Sequence, residues 1–215
     1  MNELDNNYDK KKIVIIDYGL GNLGSMFNML KKIGVHAIIS ADHEIIKEAK
    51  KLILPGIGSF DTGMSNLEAR DLIPILKKQV LEKHVPILGV CLGMQLLSKR
   101  SEEGVLPGLS WIDAETIRFR FGEQLKYLKI PHMGWNTVRV CKETSLFNGI
   151  GQDPRFYFVQ SYHVVCENEA DILTKTEYGY EFVSAFVHDN ITGVQFHPEK
   201  SHKFGMNFLR NWALS

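Results

Sequence analysis

The sequence has little cysteine, with three residues among 215, at positions 91, 141 and 166. They are too few and too scattered for a disulfide framework. No two of them are spaced as Cys-x-x-Cys, so a structural zinc site is not predicted either. An excess of charge is also lacking, because 25 lysines and arginines balance 25 aspartates and glutamates. A net charge of zero gives no global electrostatic reason to expect nucleic acid or an anionic membrane as a partner.

Long apolar runs are lacking too. None approaches the roughly 20 residues that a membrane-spanning helix requires. Residues 1–11 are polar and charged and contain no apolar stretch typical of a secretory signal. We therefore interpret 1–11 as a disordered polar tail, expect a cytoplasmic protein, and expect residues 12–215 to form a single domain.

The first hundred residues alternate between short apolar runs and segments with helical spacing. Such runs are typical of strands buried on both faces, and their alternation with helices predicts βαβ units and a parallel sheet. Later strand-like runs are joined by turns. The pattern predicts an α/β fold, an open and mostly parallel sheet flanked by helices, with a more antiparallel C-terminal section. The predicted strands are 12–17, 36–40, 52–55, 86–90, 116–121, 136–141, 156–165, 182–188 and 192–196, and the predicted helices are 22–33, 42–50, 72–83, 92–100 and 201–212.

A first glycine-rich turn spans Gly19 to Gly24, follows a predicted strand and opens a helix. This pattern, Gly-x-Gly-x-x-Gly, is typical of dinucleotide-binding proteins, in which an acidic residue about 20 positions later holds the ribose. Asp42 lies two residues beyond Ser40, the end of the second predicted strand, and is equally explained as a helix cap. A nucleotide-binding module and a merely tight turn therefore both remain open.

A second turn, Gly89-Val-Cys91-Leu-Gly93, has the cysteine form of the nucleophile elbow, in which a strand turns sharply into a helix. The elbow forces close backbone approaches, which explains the flanking glycines. The helix N-terminus favours the thiolate form of Cys91, so this residue is a candidate nucleophile. The other two cysteines, Cys141 and Cys166, lie in strand-like runs and are interpreted as buried small hydrophobic residues.

A thiolate that attacks a carbonyl needs a proton-transfer group with its own orienting partner. His197 follows an apolar strand and precedes Pro198 and Glu199. In an extended segment the side chains of His197 and Glu199 point to the same side, so the carboxylate can fix the imidazole. A metal-binding interpretation of His197, Glu199 and His202 is disfavoured, since the zinc deaminase pattern also requires a downstream Pro-Cys-x-x-Cys. We expect no metal and no cofactor.

Several motifs resemble those of the class I, or triad, glutamine amidotransferases, and further stretches are similar to the glutaminase subunits of imidazole glycerol phosphate synthases and their paralogues. The resemblance runs from about residue 12 to the C-terminus and implies the class I glutamine amidotransferase fold. The motifs that carry it are PGIGSFD (55–61), GVCLGMQ (89–95) and QFHPEKS (195–201), and the further stretches are DYGLGNLGS (17–25), IPHMGWN (130–136) and FVQSYH (158–163).

The resemblance implies a reaction in which Cys91 is the nucleophile, His197 the general acid and base, and Glu199 the residue that orients His197. Glutamine would be hydrolysed to glutamate and ammonia through a cysteine thioester. The residues assigned to the oxyanion hole through their backbone amides are Ile57, Gly58 and Leu92, and those assigned to glutamine binding are Gln95, Ser161 and Tyr162. Leu92 stands where some stand-alone cysteine hydrolases of this fold have histidine, which argues against that enzyme class.

The resemblance also implies a partner, a (β/α)₈ barrel subunit that forms a heterodimer with this chain and uses the ammonia to make imidazole glycerol phosphate and AICAR in histidine biosynthesis. The interface would include Trp135, Asn136 and, as a weaker candidate, Asn22. Trp135 is flanked by Gly134 and Asn136, so we expect it in a turn. The first glycine turn would lie near the partner and bind no nucleotide. Weak activity without the partner is expected, because the amide after Gly56 has to turn inward.

Two departures leave the acceptor of the ammonia open. Gln160 stands where the family often has histidine, and residues 108–119 look more like the paralogues that supply ammonia to a sugar amidotransferase in surface-polysaccharide synthesis.

Overall fold

The computed structural model describes residues 13–215, so the predicted tail at 1–11 lies outside the described residues. Its central feature is a ten-stranded sheet, beside which lies a separate two-stranded sheet. The strands are β1 (Ile13–Ile16), β2 (Ala37–Ser40), β3 (Lys51–Gly56), β4 (Ile87–Cys91), β5 (Ala114–Arg118), β6 (His132–Thr137), β7 (Arg139–Val140), β8 (Arg155–Gln160), β9 (Tyr162–Cys166), β10 (Ile172–Glu177), β11 (Glu181–His188) and β12 (Ile191–Val194).

The helices flank the larger sheet, and short single turns connect other elements. The α-helices are α1 (Leu23–Lys32), α2 (His43–Lys47), α3 (Phe60–Ala69), α4 (Leu72–Lys77), α5 (Leu92–Leu96) and α6 (His202–Leu214). A π turn at Lys78–Glu82 continues α4, and 3₁₀ turns lie at Glu123–Leu125, Ser145–Phe147, Glu169–Asp171 and Pro198–Lys200.

The ten-stranded sheet is parallel at one end and antiparallel at the other. Strands β2, β1, β3, β4 and β12 are parallel neighbours in that order. Beyond β12, the strands β11, β10 and β7 are antiparallel, β9 pairs with β11, and β5 pairs with β9. Strands β6 and β8 form the separate antiparallel sheet. The predicted open sheet with an antiparallel C-terminal section is confirmed.

The parallel strands bury both of their faces, as their continuous apolar sequence indicates. In β1, Val14 and Ile16 pack into a cluster with residues of α2 to α5. The alternate side chains, Ile13 and Ile15, pack into a second cluster with residues of α1 and α6. Because successive side chains of a strand point to opposite faces, one apolar run of four residues joins the two halves of the core.

The strand order brings three distant segments of the chain to one edge of the sheet. Gly56 ends β3 and is the register partner of Cys91, which ends β4. Strand β12 pairs with β4 on the other side up to Val194, three residues before His197. The carboxyl ends of these parallel strands therefore bring the second glycine turn and His197 together, as expected for a ligand site in an open α/β sheet.

One predicted strand, 156–165, is two strands in the structure. The break lies at Ser161, whose carbonyl oxygen accepts a hydrogen bond from the Phe119 N–H at 3.0 Å. The chain leaves the small sheet at Gln160 and enters the large one at Tyr162. The strand-like pattern of residues 156–165 cannot show this break, because β8 and β9 are separated only by Ser161 and the apolar pattern continues on both sides of it.

The expected turn at Trp135 is wrong, and so is the start of the strand predicted over 136–141. Trp135 lies within β6, where it pairs with Tyr157 of β8. Gly134 has a φ of 133°, a conformation that glycine adopts at low cost, so the strand continues through a residue that otherwise signals a turn.

Two helix predictions also differ from the structure. The predicted helix 92–100 ends at Leu96, because the Ser98 hydroxyl donates to the Gln95 carbonyl at 2.7 Å and the Lys99 N–H donates to Ala114 of β5 at 2.9 Å. The helix predicted over 72–83 is divided into α4 and the π turn at Lys78–Glu82, and Pro74 lies in the first turn of α4, where no backbone N–H is needed. Helix α3 and strand β10 were not predicted.

Within residues 13–215, no helix combines the length and hydrophobicity that crossing a bilayer requires.

Candidate active site

Cys91 lies at a sharp turn between β4 and α5. Its φ of 54° and ψ of −110° are strained for a residue with a side chain. A Cβ at Gly89 would lie 2.7 Å from the Gly93 carbonyl oxygen, and a Cβ at Gly93 would overlap the Leu54 carbonyl oxygen. Both flanking glycines are therefore required by close backbone packing, as the elbow interpretation predicted.

The Cys91 side chain opens into a cavity of about 250 Å³. Polar groups surround the sulfur, since the Gln195 Nε2 lies 3.7 Å from Sγ and the Val159 carbonyl oxygen 4.0 Å from it. Almost all residues that the sequence assigned to the site contribute to this cavity. Its lining residues are Ile57, Gly58, Cys91, Leu92, Gln95, Glu103, Pro131, Val159, Gln160, Ser161, Tyr162 and His197.

His197 and Glu199 form a buried pair beside Cys91. The Glu199 Oε1 lies 2.8 Å from the His197 Nδ1, and both side chains are at most 3% exposed. This contact leaves Nε2 as the nitrogen available to Cys91. Burial by itself lowers the pKa of His197, but the negative charges of Cys91 and Glu199 outweigh burial and raise it. The raised pKa favours an imidazolium at His197, held beside Cys91 by the buried Glu199 carboxylate.

The backbone around His197 differs from the extended segment that we expected. Pro198–Lys200 forms a 3₁₀ turn, and this turn brings the Glu199 carboxylate back to the imidazole. Ser201 fixes the turn, because its hydroxyl donates to the His197 carbonyl at 2.6 Å and accepts from the Tyr157 N–H at 2.9 Å. The predicted contact is present, but the geometry that produces it is a tight turn.

Gln195 is a site residue that the sequence reasoning did not assign. It is fully buried, and its Oε1 accepts from the Gln95 Nε2 at 3.0 Å while its own amide nitrogen faces Cys91. The Gln95 Nε2 also donates to the Tyr162 carbonyl at 3.2 Å. These bonds fix the Gln95 carboxamide at the cavity wall. The position of Gln195 two residues before His197 in the QFHPEKS motif was the available signal.

Glu103 was also missed, and it is the one acidic side chain among the cavity-lining residues that the structure describes. Its Oε2 accepts from the Phe60 N–H at 2.9 Å. The Asp61 carboxylate accepts from the amides of Val105 and Leu106 at 3.0 to 3.1 Å, which fixes the loop that carries Glu103. Partial burial and the charge of Asp61 raise the pKa of Glu103, while the Phe60 N–H opposes them. Glu103 belongs to an irregular loop that carries no recognisable pattern.

The three candidate interface residues have different environments. Trp135 is 39% exposed and stacks on His202 with a centroid distance of 5.5 Å. Asn136 turns inward, since its Nδ2 donates to the Glu177 carbonyl at 2.8 Å. Asn22 caps α1, and its side chain accepts from the Ser25 N–H at 3.3 Å.

Two further sequence expectations are corrected or resolved by the structure. Cys141 is exposed, so its interpretation as a buried residue is wrong, whereas Cys166 is buried. Strand β7 is only two residues long, and Cys141 follows it at the sheet edge. Two histidines, His132 and His163, are also buried, and burial lowers the pKa of each to about 4.

The first glycine turn packs against protein. A Cβ at Gly19 would lie 2.9 Å from the Arg70 guanidinium, and a Cβ at Gly21 would lie 3.2 Å from the Pro55 carbonyl oxygen. The Gly19 N–H donates to the Asp17 carboxylate at 3.0 Å. These contacts explain Gly19 and Gly21 as parts of a tight turn.

Comparison with known proteins adds the family context. Residues 14–215 match the family described as glutamine amidotransferase class-I. The chain is 54% identical over 200 residues to imidazole glycerol phosphate synthase subunit HisH 2 of Methanococcus maripaludis, with 93% of this chain and 98% of the relative covered. It is 50% identical over 201 residues to the protein of the same name from Pseudomonas aeruginosa, with 94% and 98% covered.

Solved structures share the fold at low sequence identity. PurLQS from Thermotoga maritima matches with a TM-score of 0.67 at 18% identity, over 94% of this chain and 97% of that chain. A glutamine amidotransferase from the same organism matches with a TM-score of 0.62 at 18% identity, over 94% and 81%.

The buried pair at His197 leads to a first prediction, on the reactivity of Cys91. We expect Glu199→Gln to slow alkylation of Cys91 by iodoacetamide at neutral pH about tenfold, because a hydrogen bond to a charged group contributes roughly 1.5–3 kcal/mol. Loss of that bond disfavours the imidazolium and hence the thiolate. Mass spectrometry of the modified peptides measures the rate, with the exposed Cys141 as internal reference. An unchanged ratio of the two rates contradicts the role assigned to Glu199.

Proposed function

Because this chain belongs to the class-I glutamine amidotransferase family and, within it, to the HisH subunits of imidazole glycerol phosphate synthase, we propose that it hydrolyses L-glutamine in the cytoplasm and passes the ammonia to a (β/α)₈ barrel subunit. The barrel subunit uses it to make imidazole glycerol phosphate and AICAR in histidine biosynthesis. The observation that carries the proposal is the placement of Cys91 beside the buried His197–Glu199 pair in one cavity.

The first half of the reaction is acylation of Cys91. The thiolate attacks the side-chain carbonyl carbon of glutamine, and backbone amides of Leu92 and of the Ile57–Gly58 segment receive the developing oxyanion. One such hydrogen-bond donor typically increases kcat by a factor of about 10²–10³. His197 gives the proton on Nε2 to the leaving nitrogen, so ammonia departs and a γ-glutamyl thioester remains.

The second half is hydrolysis of the thioester. His197, now neutral, takes a proton from water, and the resulting hydroxide attacks the thioester carbon. The tetrahedral intermediate collapses with cleavage of the carbon–sulfur bond, releasing the product and the Cys91 thiolate, so the starting ion pair is restored. The new γ-carboxyl group of the product loses its proton to solvent, which gives glutamate. Glu199 holds the imidazole through both halves, since its contact is to Nδ1 and leaves Nε2 free to exchange protons.

The cavity supplies groups that suit glutamine. Gln95, Ser161 and Tyr162 line one wall, and the Gln95 carboxamide is held by Gln195. We assign Glu103 to binding of the α-ammonium group of glutamine, because a carboxylate pairs with an ammonium group through charge-assisted hydrogen bonds. A bound ammonium group also favours the ionised form of the Glu103 carboxylate.

A docked partner fits the surface at the cavity mouth. Ile57 of the cavity lining is 43% exposed, and Met133 and Trp135 on the outward face of β6 are 63% and 39% exposed. Exposed aromatic and methionine side chains are enriched in protein interfaces. Ammonia in water is mostly protonated near neutral pH, and ammonium is not nucleophilic. We therefore propose that the barrel subunit covers the mouth and receives ammonia directly.

We also propose that docking turns the Gly56–Ile57 amide towards the substrate, so that the isolated chain is a weak glutaminase. Gly58 has a φ of 136°, and two glycines flank Ile57, which gives this segment the backbone freedom that such a change needs.

The nucleophile assignment leads to a prediction about Cys91→Ser in the complex with the barrel subunit. We expect glutamate release to fall by at least about 10³-fold, because a serine hydroxyl cannot replace the thiolate. Synthesis by the barrel subunit from ammonium chloride should continue at the parental rate. Cys141→Ser is the matched control and should retain both activities. Glutamine hydrolysis by Cys91→Ser at the parental rate refutes the assignment.

The assignment of Glu103 predicts a binding defect. Glu103→Gln should raise the KM for glutamine roughly tenfold, in the range of one lost charge-assisted hydrogen bond, with little change in kcat. Steady-state glutamate release measures both constants. Glu102→Gln is the control, since the neighbouring Glu102 pairs with Arg120 at 2.9 Å. Equal KM values for the Glu103 variant and the parent protein would contradict the assignment of Glu103 to glutamine binding.

The proposed interface predicts weaker binding of the barrel subunit by Trp135→Ala. A buried aromatic residue at an interface typically contributes 2 kcal/mol or more, so Kd should rise by about thirtyfold or more. Isothermal titration calorimetry measures it. Leu81→Ala is the control, because Leu81 is a similarly exposed apolar residue in the π turn that precedes β4, at the opposite edge of the sheet. Unchanged affinity for Trp135→Ala counts against the docking surface.

A further inference from the structure

Tyr18 is a fully buried tyrosine whose hydroxyl has no hydrogen-bond partner among the described residues. It belongs to the DYGLGNLGS stretch and follows β1 at the same sheet edge as the active site. A buried polar group without a partner destabilises the folded state, because it has lost its hydrogen bonds to water. A phenylalanine would fill the same space without that cost, so the hydroxyl calls for a functional explanation.

The hydroxyl lies close to Gly56, which begins one of the two segments that we propose for the oxyanion hole. A Cβ built on Gly56 would lie 2.5 Å from the Tyr18 Oη, 2.7 Å from the Leu92 Cβ and 2.8 Å from the Gly93 nitrogen. The Tyr18 hydroxyl and the first turn of α5 therefore approach the same side of Gly56. That residue is the first of the Gly56–Ile57 peptide bond, whose N–H is a proposed oxyanion donor.

The hydroxyl is also close to the nucleophile and is neutral there. Burial raises the pKa of Tyr18, and the negative charge of Cys91 raises it further. A neutral phenol can donate one hydrogen bond and accept others. It adds no negative charge beside Cys91.

Within a peptide group the carbonyl and the N–H point in opposite directions. A donor that engages the Gly56 carbonyl from one side therefore directs the Ile57 N–H to the other side. Tyr18 is buried behind Gly56, whereas Ile57 lines the substrate cavity. The hydroxyl is thus placed to hold this peptide with its N–H towards the substrate.

We propose that Tyr18 is a positioning residue for glutamine hydrolysis. Its hydroxyl donates to the Gly56 carbonyl oxygen when the Gly56–Ile57 peptide presents its N–H to the oxyanion. This inference rests on the proposed glutaminase function. It assigns Tyr18 no contact with the substrate and no proton transfer.

The test is Tyr18→Phe, assayed in the complex with the barrel subunit. We expect kcat for glutamate release to fall about tenfold or more, because loss of one oxyanion donor typically costs about 10²–10³ and Tyr18 acts through such a donor. The KM for glutamine should stay within twofold, and iodoacetamide alkylation of Cys91, which needs no oxyanion hole, should keep the parental rate. The melting temperature should be equal or higher, because an unpartnered hydroxyl has been removed.

Thr176→Val is the matched control. Thr176 also carries a buried hydroxyl without a partner among the described residues, and it does not line the cavity. Its removal should leave kcat unchanged. A Tyr18→Phe protein with parental kcat overturns the inference, and so does a loss of kcat accompanied by a lower melting temperature or slower alkylation of Cys91. Absence of glutamate release by the parental complex refutes the proposed function instead.

Discussion

The site depends on the pairing of β4 with β3 on one side and β12 on the other. This register places Gly56 opposite Cys91 and ends β12 just before the segment that carries His197. The backbone hydrogen bonds of the sheet thus hold together residues that are more than a hundred positions apart in sequence. Side chains on the rigid edge of a packed sheet keep their mutual geometry better than side chains on loops, and proton transfer requires such geometry.

The sequence predicted the parts of the site whose local chemistry is distinctive. The glycines around Cys91 signal an elbow, and the structure shows the close contacts that require them. His197 and Glu199 were paired on the assumption of an extended segment, yet a 3₁₀ turn makes the contact. The pairing was predictable because a spacing of two residues allows contact in more than one backbone conformation.

Other features depend on tertiary contacts that no local pattern shows. The break at Ser161 arises because one continuous apolar run serves two sheets. Glu103 reaches the cavity because Asp61, more than forty residues earlier in the chain, binds the amides of its loop. Trp135 was placed in a turn because of Gly134, although pairing with β8 extends the strand through both residues. In each case a distant partner overrides the local preference.

Ser201 has a consequence that reaches beyond the local turn. Its hydroxyl joins the Tyr157 N–H to the His197 carbonyl, while the His197 N–H donates to the Tyr157 carbonyl at 2.8 Å. Tyr157 packs edge-on against Trp135, on the outward face of the small sheet. The imidazole that we propose as the proton donor and the outer surface of the small sheet are thus connected through the backbone of a single residue, Tyr157. A displacement of that surface therefore reaches His197 through one residue.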